Sequence, residues 1–184
     1  RLVDGFESDA VLVDNATGTY RAIHHLLKRG HKSFGFIGGD IQLTPARERY
    51  EGFLSALEDF GIQVPERNKK FGDFHVESGY NLLRELLEQR DSPESIFVSN
   101  YFMHIGAVRY VVEHREELAP NLFLASFDDM ELSSVTGIPS VTIAQPVTRI
   151  GQEAARMLLE RLKGTESGPA RVERLSTRLV FHEG

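Results

Sequence analysis

Short apolar runs alternate along the chain with longer segments in which apolar residues recur at helical spacing, the pattern of strands and amphipathic helices taken in turn. Val11, Leu12 and Val13 form the first run. Ala22, Ile23, Leu26 and Leu27 form the stripe of a helix behind it, stopped by Gly30 after Lys28 and Arg29, as helices commonly stop. Phe34 to Ile37 predicts a strand, Gly38 and Gly39 a turn, and Tyr50, Phe53, Leu54, Leu57 and Phe60 a helix ended by Gly61. Lys70 to Phe74 predicts the next strand, and Leu82, Leu83, Leu86 and Leu87 the buried stripe of a helix. Ile96 to Val98 is a strand, and Ile105, Val108, Val111 and Val112 mark a helix. Leu122 to Phe127 and Val141 to Ala144 are strands. Ala154, Ala155, Leu158, Leu159 and Leu162 lie on a helix ending near Gly164, and Arg174 to Phe181 alternates as a last, edge strand. Such alternation predicts an α/β fold with parallel sheets. The β-α steps outnumber what one small sheet needs, so two lobes are expected.

Composition narrows the function. With 184 residues and 41% apolar content the chain can bury a proper core, and none of its apolar runs approaches the roughly 18 residues needed to span a bilayer. There is no cysteine, which excludes disulfide scaffolds and thiolate metal sites and fits a reducing compartment. The opening, Arg-Leu-Val-Asp-Gly-Phe-Glu, is neither a signal peptide nor an initiator-methionine start. A net charge of -6 without a basic cluster argues against this stretch gripping nucleic-acid phosphates by itself.

In open parallel sheets, ligands bind beyond the carboxyl ends of the strands. Those ends carry Asp14 and Asn15, then Gly38, Gly39 and Asp40, then Asp73 and Phe74. Further on they carry Ser99 and Asn100, Asp128 and Asp129, and Gln145, with Arg47 and Arg49 shortly after the Asp40 loop. Acids, amides, arginine and an aromatic on one edge suit a hydroxyl-rich ligand. Asp, Asn and Ser ahead of a helix are equally its expected N-caps, and Phe74 is equally a core residue. Arg49 and Asp128 are less easily assigned to packing, because a charge near a strand end wants a partner or a ligand.

Enzyme motifs are missing. No phosphate-cradling glycine loop follows a strand, and no G-x-S-x-G elbow is present. None of the seven histidines has metal-ligand spacing. His24 and His25, adjacent on a helix, point apart. No catalytic residue, metal or cofactor is expected.

Several stretches in fixed order resemble the effector-binding domain of the LacI/GalR family of bacterial transcription repressors. They begin with Asp14-Asn15, Leu26-Leu27-Lys28-Arg29-Gly30-His31 and Phe36-Ile37-Gly38-Gly39. Arg49-Tyr50-Glu51-Gly52-Phe53 with Ala56-Leu57 follows, then Gly72-Asp73-Phe74 with Ser78-Gly79-Tyr80. Ser126-Phe127-Asp128-Asp129, Pro139 to Pro146, and Gly151 with Ala154-Ala155 and Leu158-Leu159 complete the series. Each is weak alone; the order and spacing are specific.

The resemblance implies two Rossmann-like lobes of the type I periplasmic-binding-protein kind with a small molecule in the cleft between them. The first lobe, incomplete here, is expected from residues 1–41 and 130–162, and the second from 42–129 and 163–184. The family's helix-turn-helix head and the leading strands of its first lobe have no counterpart in these residues. The implied ligand contacts are Arg49, Asp128, Asn100, Phe74 and Gln145, with Arg47 and Asp40 nearby. Tyr101 stands where the family often has an acid after Asn100, so the ligand cannot be copied from one relative. The expected protein is a cytoplasmic homodimer with a sugar-like effector, no membrane contact, and operator DNA reached only through the head. The alternatives are a periplasmic sugar-binding protein of a transporter and a sugar-active enzyme.

Overall fold

The computed structural model describes residues 5, 7–116, 118, 122–129 and 137–182. Eight strands and five helices follow one another along them. The first half holds β1 (Ala10–Val13), α1 (Asn15–Lys28), β2 (Phe34–Gly38), α2 (Thr44–Glu58), β3 (Lys69–Phe71) and α3 (Val76–Leu87). The second half holds β4 (Ser95–Val98), α4 (Tyr101–Glu113), β5 (Phe123–Phe127), β6 (Ser140–Ala144), α5 (Val147–Leu162), β7 (Val172–Leu175) and β8 (Arg178–His182). Six strands form one sheet in the order β3-β2-β4-β5-β6-β8, while β1 and β7 pair separately. The neighbours in the large sheet are parallel except β8, which runs antiparallel to β6.

The near-continuous apolar runs of the central strands have a direct cause: helices cover both faces, so alternate side chains are all buried. Phe36, Phe97 and Phe127 point to one face, where they meet Ile23 and Leu26 of α1 and Phe53 of α2. Ile37, Ile96, Val98 and Leu124 point to the other, against Leu83 and Leu86 of α3 and Met103 of α4. On that second face the helices touch backbone to backbone. A Cβ on Gly79 would strike the carbonyl of Met103, and one on Gly106 would strike that of Val76.

Three short crossings join the two sheets. Asp14 alone links β1 to α1, Gln145 and Pro146 link β6 to α5, and Ser176 and Thr177 link β7 to β8. Helix α5 lies against β1.

Three expectations need correction. The predicted lobe boundary put Phe34–Gly38 and Ser140–Ala144 in the first lobe, yet both lie inside the large sheet with β3, β4 and β5. Apolar runs identify strands but not their neighbours, and pairing alone decides sheet membership. The boundary at residue 130 lies outside the described residues. The single tail strand is two strands, because the chain changes sheets at Ser176 and Thr177. The strand expected over 70–74 ends at Phe71, and Phe74 adopts a left-handed backbone (φ 68°).

The apolar stripe of α5 also behaves differently from the others. Only Met157 of this helix is buried, while Leu158, Leu159 and Leu162 are 59%, 50% and 73% exposed.

Candidate functional site

The carboxyl ends of β1, β4 and β5 meet around one arginine of α2. Arg49 Nε donates to Asn15 Oδ1 (2.9 Å), and its Nη1 donates to the Ser99 carbonyl (2.7 Å). Its guanidinium carbon stands 3.6 Å from the centroid of the Phe127 ring, a cation–π contact. Burial lowers its pKa to about 10, opposed by the charges of Asp128 and Glu48, so it stays cationic at neutral pH. A guanidinium held on three sides is rigid and presents its remaining N–H groups in a fixed direction.

Asn15 also donates to Glu48 Oε2 (2.8 Å), and Glu48 Oε1 accepts from Arg174 of β7 (2.8 Å). A continuous polar chain therefore runs from the small sheet to Arg49. Asp128 acts on Arg49 by its charge without a direct ion pair between them. Its Oδ1 accepts from Gln145, its N–H donates to the Ile143 carbonyl (3.0 Å), and its carbonyl accepts from Ser126 Oγ (3.3 Å). These bonds hold a non-glycine residue at φ 77°, a conformation that needs such support. A cavity of about 180 Å³ opens here, with Val13, Asn15, Glu48, Arg49, Gln145 and Ile150 among its walls. It is smaller than the roughly 300–1,000 Å³ that encloses a small molecule, so it is one wall of a site rather than a whole one.

The expected residues divide into groups. Arg49 and Gln145 line this cavity, and Asp128 is tied to it through Gln145. Asn100 caps α4, accepting from the Met103 N–H (3.2 Å), and its amide donates to the Phe74 carbonyl (3.3 Å). The N-cap role and the bracing of Phe74 thus occupy most of its polar groups. The ring of Phe74 covers Gly39, where a Cβ would overlap it. Asp40 is exposed and closes its own turn by accepting from the Gln42 N–H (2.9 Å). Arg47 is exposed and sits 4.0 Å from Glu51. Two positions along a helix turn a side chain by roughly 200°, so Arg47 and Arg49 cannot share a face.

Sequence reasoning missed Glu48 and Arg174 as parts of the site. Their only signal was charge, and 126 positions separate them in the chain. A larger cavity of about 570 Å³ lies between β1 and α5. Of the two acids lining it, Glu7 and Asp9, Asp9 is already held by Arg161 (2.7 Å) and Arg171 (2.9 Å), which keep its carboxyl well below the usual carboxylate range. Among the described residues no group of His, Asp or Glu could hold a metal ion, and no helix is long and apolar enough to cross a membrane.

A parallel sheet flanked by helices, joined by short crossings to a second sheet, with polar groups gathered at the crossings, defines a two-lobed ligand-binding fold. The family model described as the periplasmic binding protein-like domain matches residues 23–183, and the chain belongs to that family. Among curated proteins it is 33% identical over 158 residues to the HTH-type transcriptional repressor PurR of Haemophilus influenzae (strain PittEE). That match covers 86% of this chain and 47% of PurR, so the chain spans about half the length of the relative. Among solved structures, a putative ribose operon repressor from Burkholderia thailandensis superimposes with a TM-score of 0.83 at 31% identity, over 98% of this chain and 65% of that one. The transcriptional regulator CelR in complex with cellobiose does so with a TM-score of 0.85 at 26% identity, over 97% of this chain and 54% of that one. The names of these relatives are those of transcription repressors, and a sugar-binding transcriptional regulator of the LacI family from Escherichia coli, solved with phosphate, superimposes with a TM-score of 0.75 at 28% identity, over 92% of this chain and 60% of that one.

Proposed function

We propose that this chain is the effector-sensing part of a cytoplasmic, dimeric bacterial transcription repressor that binds a sugar or sugar derivative in the cleft beside Arg49. One observation carries the reading: Arg49 is immobilised by Asn15, Ser99 and Phe127 while Asp128, held at φ 77°, is near enough to act on it without pairing to it. A fixed donor and a fixed acceptor that do not satisfy each other suit hydroxyls able to accept from one and donate to the other. That CelR was solved with cellobiose and that another relative carries the name of a ribose operon repressor both support the sugar class. Effector binding would shift the population between two arrangements of the lobes and so reposition paired DNA-binding heads. The relatives are repressors, which goes against the periplasmic carrier.

Calorimetric titration of the chain with a panel of sugars tests the proposal. Arg49→Ala and Asp128→Ala should each weaken the binding roughly ten- to hundredfold, as expected for losing one partner of a charge-assisted hydrogen bond. Unchanged affinity in both variants would move the cleft elsewhere.

A further inference from the structure

We infer that Arg174, on the small sheet and outside the cavity, is a positioning residue for Arg49: acting through Glu48 and Asn15, it ties the grip on a ligand to the angle between the two sheets. This rests on the proposed ligand site and names what couples that site to the small sheet.

The two ends of the link ride on different parts of the fold. Helix α2, which carries Glu48 and Arg49, is fastened to the large sheet by Phe53, Ala56 and Leu57. Arg174 belongs to β7 and stands opposite Leu12 of β1 in the small sheet. Its guanidinium still reaches Glu48 Oε1 at 2.8 Å, and the charge of Asp14, at the first crossing, also acts on it. Glu48, Asn15 and Arg49 line the cavity, whereas Arg174 is not among its walls.

The bonding leaves Asn15 one orientation. This buried amide donates to the Val13 carbonyl (3.2 Å) and to Glu48 Oε2 (2.8 Å). Both of its hydrogens are spent, so Oδ1 is turned to Arg49 Nε at 2.9 Å. Glu48 meets a donor at each oxygen, Asn15 at one and Arg174 at the other. Only a carboxylate accepts at both ends; a side-chain amide would set its NH2 against one of the donors. A shift of Arg174 by about 1 Å takes its 2.8 Å bond out of hydrogen-bond range. Glu48 is then free to turn, and Asn15 and Arg49 lose the brace behind them.

The test reads Arg49 first without a ligand and then with one. In heteronuclear NMR of the ligand-free chain, the Arg49 Nε–H resonance is assigned by its loss in Arg49→Lys. Arg174→Leu should displace that resonance and speed its exchange with water several-fold. Arg174→Lys keeps a donor for Glu48 and should restore both. Glu173→Gln, next along β7 and in contact with Arg156 (3.4 Å) rather than with the relay, should leave the resonance where it is. For any sugar that calorimetry shows to bind, Arg174→Leu should weaken the binding roughly three- to tenfold, as for the loss of one hydrogen bond. Glu48→Gln should weaken it about as much and the double variant little more, because both break one path; Glu48→Gln also serves if Arg174→Leu does not fold. An Arg49 resonance unmoved by Arg174→Leu, or moved as far by Glu173→Gln, overturns the inference and leaves the sugar-binding proposal standing. If no sugar binds, the proposed function fails, and the Arg49 resonance alone decides the relay.

Discussion

His104 gives the chain a specific weakness to acid. It is 1% exposed on α4, and its Nδ1 has no hydrogen-bond partner. Burial first, then the neighbouring His182, lowers its pKa from 6.5 to about 4, against the opposing charge of Asp129. His182 Nε2 in turn lies 3.3 Å from Asp129 Oδ1 and 3.2 Å from Thr142 Oγ1, so one carboxylate and two imidazoles share this corner of the fold, with His104 on its buried side. The folded protein keeps His104 neutral where the unfolded chain would protonate it. Its contribution to stability is therefore complete above about pH 6.5 and is lost as pH falls toward 4. An interval from 6.5 to about 4, at about 1.4 kcal/mol per pH unit, amounts to about 3 kcal/mol. That is a large share of the roughly 5–15 kcal/mol that holds a domain together. Urea unfolding of the wild-type chain, His104→Gln and His104→Leu between about pH 7.5 and 4.5 measures it directly. Both variants should lose less stability on acidification than wild type, by most of that figure. His25 and His31, whose pKa values burial also lowers, contribute equally in all three proteins and cancel. Parallel stability–pH curves for wild type and both variants would refute the reasoning.

Three further outcomes follow from packing and from the polar chain. Gly106→Ala drives a Cβ into the Val76 carbonyl, so it should lower stability by about 1–3 kcal/mol, read as a lower urea midpoint. Leu83→Ala, at a fully buried position, should cost about 2–5 kcal/mol; Leu158→Ala, 59% exposed, should cost under about 0.5 kcal/mol, and thermal melts of the pair compare them. Asn15→Ala removes the partner of both Glu48 and Arg49; it should cost about 1–3 kcal/mol and weaken sugar binding along with it, which unfolding and calorimetry on the same sample would show.

The order of strands and helices was legible because buried parallel strands read as unbroken apolar runs, as Ile96, Phe97 and Val98 do. Sheet membership was not. Val11–Val13 and Phe34–Ile37 look alike in sequence, and only the pairing of Val13 with Leu175, and of Phe36 with Phe97, separates them. The tail hid a change of sheets because alternation continues through Ser176 and Thr177. Arg49 was legible as a charge beside a strand end, whereas its partner network was not, since Arg174 approaches from the far end of the chain. Arg47 shows the limit of proximity: two residues from Arg49, it faces away.

The three crossings between the sheets consist of one, two and two residues, and Thr177 in one of them lies against Gly18 of α1, where even a Cβ would crowd its hydroxyl. Any rotation of one sheet against the other must be absorbed by a handful of backbone angles there. Asn15 follows the first crossing directly, and Gln145 lies in the second. A ligand held by these residues and their partners sits close to the axis of that rotation, where a given force exerts little torque. For the proposed ligand, contacts at this radius would bear on its grip more than on the angle between the sheets, which would follow from contacts farther from the axle.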